Sequence, residues 1–136
     1  MSDPDRFDER TAARERALDL LYEAHSKQLP VADVLSAQAL DVSDEVRLLV
    51  EGTEATCERA DELIAARSRG WTLERMPVID RTVMRMATFE LLSRLDVPRA
   101  VVLDEAVSMA KRYSTDDSGR FVNGVLAAIA DEVRPG

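Results

Sequence analysis

The sequence predicts an all-α protein of about seven helices arranged as two small bundles, and three observations predict it. Apolar residues recur at helical spacing along nearly the whole chain, capping residues punctuate those stretches, and no alternating pattern of useful length offers a strand. With 136 residues, 46% apolar and 32% charged, the chain fits one compact domain spanning 1–136 rather than disorder. A chain of this length buries roughly two-thirds of the surface it exposes when unfolded, so no disulfide or metal staple is required.

The elements follow in order. Ala13, Ala17, Leu20, Leu21 and Ala24 share one face of a first helix. Val31, Val34, Leu35 and Ala39 give a short second helix after Pro30. Ser43 offers an N-cap, and Asp44 and Glu45 suit the positive end of the helix dipole behind it. Val46, Leu49, Val50, Thr53, Cys57, Ala60 and Ile64 then run along one face until Gly70 supplies a stop. Thr72 caps a brief turn, and Pro77 sits at the first position of the next helix, where its missing N–H costs nothing. Ile79, Val83, Met86, Ala87, Glu90 and Leu91 mark that helix, which closes near Asp96-Val97-Pro98. Val102, Ala106, Val107, Ala110 and Tyr113 mark another, and the segment from Ser114 to Gly119 reads as a polar break. Phe121, Val122, Val125, Leu126, Ile129 and Val133 form the last helix. Asn123-Gly124 is a common hairpin dipeptide, but its flanks have helical spacing. Gly124 is therefore read as helix interior, its cost of about 1 kcal/mol relative to alanine offset by a closely approaching helix. The two bundles would cover about 8–68 and about 70–134.

Charge bears on function. The net charge of −8 argues against binding nucleic acid by bulk electrostatics. It is unevenly placed, however: residues 31–70 hold nine acids against four arginines, whereas residues 75–120 hold eight basic groups against seven acids. Of the 18 basic residues all but Lys27 and Lys111 are arginine, a side chain whose planar fork suits phosphate and carboxylate. A local anionic ligand thus remains compatible with an acidic whole. No run of about 18 apolar residues is present to span a membrane, and the acidic start, from Met1 to Glu9, does not resemble a secretory signal. The chain reads as a bacterial-type cytosolic protein.

Catalytic chemistry is sparse. His25 is the only histidine and reads as an exposed helix-end residue, so no histidine metal cluster or histidine pair exists. Cys57, the only cysteine, falls on an apolar stripe and reads as a small core residue. The five glycines are scattered and form no phosphate loop. Asp104-Glu105 and Asp116-Asp117 are carboxylate pairs placed at expected helix starts, where acids stabilise the dipole. These observations favour a helical binding protein without cofactor over an enzyme.

Motifs narrow this further. The segment from Gly70 to Arg85, GWTLERMPVIDRTVMR, resembles the middle signature of the NusB family. Glu90-Leu91 before Asp96-Val97-Pro98, and Leu103-Asp104-Glu105-Ala106-Val107 with Ala110-Lys111, are similar to it in order and spacing. The strongest match is Phe121-Val122-Asn123-Gly124-Val125-Leu126 after Asp117-Ser118, and Arg14, Ala17, Leu21 and Tyr22 extend a weaker one to the first helix. Residues 27–65 match only in helical character. Asp104 stands where many relatives have asparagine.

The resemblance implies a two-bundle helical fold and a transcription antitermination role. Family members bind a short single-stranded boxA element of nascent ribosomal RNA together with the ribosomal small-subunit protein that doubles as NusE. The implied partners are therefore boxA-like RNA, the NusE-type protein and the transcription elongation complex, with no membrane. Whether the chain acts as monomer or homodimer is left open. Arg10, Arg14, Arg16, Asp117, Arg120 and Phe121 match positions near the RNA surface, and Tyr22, Glu74, Asp80 and Arg85 match the protein-partner surface. Beside this, Arg14 and Arg16 also fit plain solvated helix charges, Phe121 fits core as well as a platform, and Trp71 reads as a bundle anchor. Asp3, Asp5, Asp8 and Glu9 stand before a basic segment sparser than in many relatives and would repel phosphate. Two other readings compete. One is an RNA-recognition domain detached from an RNA cytosine methyltransferase, for which the chain lacks a cofactor loop. The other is an acidic helical adaptor with weak or lost RNA binding.

Overall fold

A computed structural model describes residues 4–135, with side chains from Glu9 onward; Asp3 lies outside the described residues, and the side chains of Asp5 and Asp8 lie outside the described side chains. It contains seven α-helices: α1 (Pro4–Lys27), α2 (Val31–Ser36), α3 (Asp44–Ala55), α4 (Cys57–Arg67), α5 (Val78–Ser93), α6 (Arg99–Tyr113) and α7 (Asp116–Val133). A single 3-10 turn, Leu73–Arg75, precedes α5, and no strand occurs among the described residues.

Helix α5 is the centre. It is buried at Asp80, along the unbroken run Thr82–Met84, and from Met86 to Leu91, the pattern of a helix enclosed on most sides. It packs against α1, α3, α4, α6 and α7, so one hydrophobic cluster joins the first half of the chain to the second. Leu20, Leu49, Ile64, Met84, Leu91, Leu126 and Ile129 are almost fully enclosed there. Each such side chain contributes about 1.5–3 kcal/mol relative to leaving it in water.

Local chemistry sets the helix ends. The Ser43 hydroxyl accepts from the Val46 N–H (3.1 Å) and caps α3, as its sequence position predicts. Thr115 caps α7 in the same way through the Ser118 N–H (3.0 Å). Helix α1 ends with Gln28 in the left-handed region and the Leu29 N–H on the Ala24 carbonyl, just before Pro30. Beyond α4, Arg69 and Gly70 both adopt positive φ (36° and 88°), which turns the chain sharply toward Trp71.

Some local expectations are corrected. The stripe from Val46 to Ile64 is not one helix: it breaks at Thr56 into α3 and α4. There the Thr56 hydroxyl donates to the Gly52 carbonyl (2.8 Å), a back-bond that bends helices, and Gly52 lies against the Phe89 ring. The polar break before the last helix is shorter than predicted, because Asp116–Gly119 already form the first turn of α7. Asp104-Glu105 lies inside α6 rather than at its start. Gly124 meets nothing within 4 Å of where a Cβ would stand, so no neighbouring helix explains it.

Two arginines lock the helices together. Arg14 of α1 is buried to 3% exposure and makes a two-pronged ion pair with buried Glu90 of α5 (2.8 and 2.9 Å). Glu105 of α6 lies 3.9 Å from the same guanidinium and accepts from the Thr11 hydroxyl (2.7 Å). Burial works against the Arg14 charge, but hydrogen bonding and attraction from Glu90 outweigh it and raise the pKa above the ordinary arginine value. Arg134, just past α7, donates to the carbonyls of Glu90, Leu91, Arg94 and Val97 at 2.6–2.8 Å. It supplies a donor to the Leu91 carbonyl at the end of α5 and ties that end to the following turn, where the Glu90 and Arg94 carbonyls already accept from the Arg94 and Val97 N–H groups.

Candidate nucleic-acid interface

The residues expected at an RNA surface do not form one patch. Arg14 is the clearest correction: its guanidinium is spent on Glu90 in the interior and faces no phosphate. Arg10 is half-buried 3.6 Å from Asp96, and exposed Arg16 donates to Gln38. Both line a groove between the starts of α1 and α3, but Glu9 and Glu45 line it too. This groove is electrostatically mixed and weak as a phosphate track.

A different arrangement forms where the chain leaves α4 and enters α7. The left-handed turn at Arg69-Gly70 delivers Trp71 to the surface, 54% exposed, rather than into the core as its sequence reading predicts. Phe121, one turn into α7, packs its ring 6.2 Å from the indole, tilted by 54°. That geometry lies within the range of favourable aromatic pairs. Phe121 is half-buried and packs against the hydrophobic core as well as against Trp71.

The aromatic pair is a ridge between two concavities. On one side a groove is lined by Arg67, Arg69, Arg120 and Gly124 along with the two rings. Arg67 pairs with Glu132, while Arg69 and Arg120 are exposed and make no ion pair among the described residues. Gly124 keeps the groove floor open, which accounts for glycine at an exposed helical position better than close packing does. On the other side lies a cavity of about 280 Å³, lined by Trp71, Met76, Asp80, Asp117, Ser118 and Phe121 among others. Cationic and acidic faces thus meet along one aromatic edge. Sequence reasoning missed Trp71, Arg67 and Arg69 as members of this site. The available signal was local: Trp71 follows Arg69-Gly70 and precedes Thr72, off any helical face.

The residues expected to face a protein partner are also divided. Tyr22 is exposed on α1 and Glu74 on the 3-10 turn. Arg85 is partly buried and forms a two-pronged ion pair with Asp61 of α4 (2.6 and 2.7 Å). Hydrogen bonding and attraction from Asp61 overcome burial and raise its pKa. Asp80 is 2% exposed, so it does not stand on an open surface, and it shares its cavity with Asp117 and Phe121 rather than with Tyr22 or Arg85.

Among the described residues no group of three or more histidine, cysteine or acidic side chains could hold a metal. Cys57 is partly buried on α4, and burial raises its thiol pKa. No helix of the described residues is long and apolar enough to cross a membrane.

The described residues form an all-helical fold that carries an arginine-flanked aromatic ridge. Comparison with known proteins gives the family. The NusB family model matches residues 11–131. The chain is 48% identical over 127 residues to the transcription antitermination protein NusB of Saccharopolyspora erythraea, covering 89% of this chain and 86% of the relative. The structure of T. maritima NusB superposes with a TM-score of 0.82 at 33% identity, covering 97% of this chain and 94% of that one. A chain from the crystal structure of the antitermination factors NusB and NusE in complex with dsRNA has the same fold (TM-score 0.76, 24% identity, 90% and 96% covered). The chain belongs to the NusB family, a family of transcription antitermination factors and not of enzymes.

Proposed function

We propose that this protein binds boxA-like single-stranded RNA of nascent ribosomal RNA together with the NusE-type ribosomal protein, as a cytoplasmic factor of the transcription elongation complex. The observation that carries this reading is the Trp71–Phe121 pair with the unpaired Arg69 and Arg120 beside it. Single-stranded RNA is held by stacking unpaired bases on aromatic faces while arginines track the backbone. Exposed Tyr22 and Glu74 offer contacts to the protein partner. A protein of the same fold has been crystallised as the antitermination factors NusB and NusE in complex with dsRNA, which agrees with a fold that meets both a protein and RNA.

Titration of a boxA-like strand and an unrelated strand, each with and without the NusE-type protein, tests this. Trp71→Ala and Phe121→Ala should each cost about 1–3 kcal/mol of RNA affinity with a nearly unchanged salt slope. Arg120→Ala should weaken both strands and flatten the slope of log affinity against log salt by about 0.7. One observation favours a second reading, an acidic adaptor without RNA binding: Arg10, Arg14 and Arg16 are each engaged within the chain. That reading wins if no strand binds with the partner protein present.

A further inference from the structure

Helix α7 contains a residue that its own fold does not explain. Gly124 lies in the middle of α7, exposed, with nothing within 4 Å of where a Cβ would stand. Glycine at such a position weakens a helix by about 1 kcal/mol relative to alanine. No positive φ and no neighbouring helix requires it there. What remains is the other use of glycine, close approach of a ligand to the backbone. The surroundings say which ligand. Gly124 lines a groove of about 650 Å³ together with Arg69, Trp71, Arg120 and Phe121, and no acidic side chain lines it.

A side chain on a helix covers the turn N-terminal to its own Cα. The side chain missing at Gly124 would therefore cover the turn that begins at Arg120. Within α7 the Arg120 carbonyl takes the Gly124 N–H, which leaves its second lone pair turned to the uncovered surface. We propose that this uncovered turn is a ribose subsite: the sugar of a bound RNA strand rests on Gly124 and its 2′-hydroxyl donates to the Arg120 carbonyl, so the groove selects RNA over DNA. The inference rests on the RNA-binding reading above and adds how the sugar of the strand is recognised. The 2′-hydroxyl is the group by which a protein tells RNA from DNA, and deoxyribose offers no donor in its place. Arg69 and Arg120 supply charge for the phosphates on either side of that sugar, and the Trp71–Phe121 pair offers a face to an unpaired base. An arginine-lined groove also suits an acidic peptide. The rings decide for a nucleotide, because their negative faces disfavour carboxylates and stack on bases.

The test uses the full chain with the NusE-type protein and a fluorescent boxA-like RNA in which one nucleotide at a time is replaced by its 2′-deoxy form. One position should cost about threefold to tenfold in affinity, the scale of a single hydrogen bond. Gly124→Ala should bind the unmodified strand more weakly by a similar factor, with the salt slope unchanged because no phosphate contact is removed. In that variant the sensitive position should cost less than about twofold, since the contact is already gone. Its melting temperature should be no lower than the parent's, which separates a lost contact from a lost fold. If no strand binds, the RNA-binding reading falls and the ribose subsite with it. If RNA binds but no deoxy position matters, or the sensitive position persists in Gly124→Ala, the subsite is overturned and the RNA-binding reading survives. A Gly124→Ala variant that loses only the ribosomal partner places a peptide in the groove and likewise overturns the proposal.

Discussion

Arg14 offers the sharpest test of how this fold uses its charges. Replacing Arg14 with methionine keeps the apolar stem but removes the guanidinium held by Glu90 at 2.8 and 2.9 Å. Glu90, only 2% exposed, is then a buried carboxylate without its partner, and Glu105 loses a cation at 3.9 Å. Breaking one side of a buried ion pair costs about 3–5 kcal/mol, because the remaining charge stays out of water. For a domain of this size that should lower the melting temperature by roughly 10–20 °C. The double variant Arg14→Met with Glu90→Leu removes both charges and fills the space with apolar atoms, so it should recover at least half of the loss. Urea unfolding of the two single variants and the double variant, read as a mutant cycle, measures the coupling directly. RNA titration of Arg14→Met below its melting temperature supplies the second readout, and its salt slope should match the parent's, since no phosphate contact is removed. The reasoning fails if Arg14→Met is as stable as the parent, or if it flattens the salt slope at unchanged stability.

Further expectations concern single positions. Gly124→Ala should raise stability by about 0.5–1 kcal/mol, because the position is helical, exposed and open where a Cβ would stand; a destabilised variant in thermal unfolding would contradict that space. Gly52→Ala should lose about 1–3 kcal/mol, since its Cβ would fall 2.2 Å from the Phe89 ring, and Phe89→Leu in the same chain should restore part of it. Cys57 should react with iodoacetamide near pH 8 more slowly than a free thiol, because its raised pKa leaves less thiolate below that value and the difference closes only as pH rises past it. Faster labelling than a small-molecule thiol would show an activated rather than a buried sulfur.

The helical stripes were legible because each turns apolar residues to the core, and Ser43 marks its cap plainly in the sequence. The Thr56 break was not, since the apolar register runs through it from Thr53 to Ala60 and the cause is a hydroxyl–carbonyl bond beside Phe89. The site was harder. Arg10, Arg14 and Arg16 look alike in sequence, and only Glu90, 76 positions away, separates the buried one from its neighbours. Trp71 reads as a bundle anchor in the sequence, yet two successive left-handed residues carry it outward. Family resemblance located Phe121 and Asp80 as residues of interest, but not that they line one cavity. Spatial adjacency between residues 71–80 and 115–121 is a property of how α5 and α7 pack, which no local window contains.

The four carbonyls held by Arg134 also set an order of events during synthesis. Helix α5 occupies the middle of the molecule, but its C-terminal end is closed by a side chain near the end of the described chain. A ribosome adds about 5–20 residues per second, so the end of α5 waits on the order of several seconds for its closing residue to be made. During that interval α1–α4 can gather around α5 while its last turn and the seats for α6 and α7 stay unlocked. Pulse proteolysis of released chains truncated before and after residue 134 should therefore show cleavage near Arg94 that disappears only in the longer chain. Closing the end of α5 is then a single guanidinium docking, local in extent.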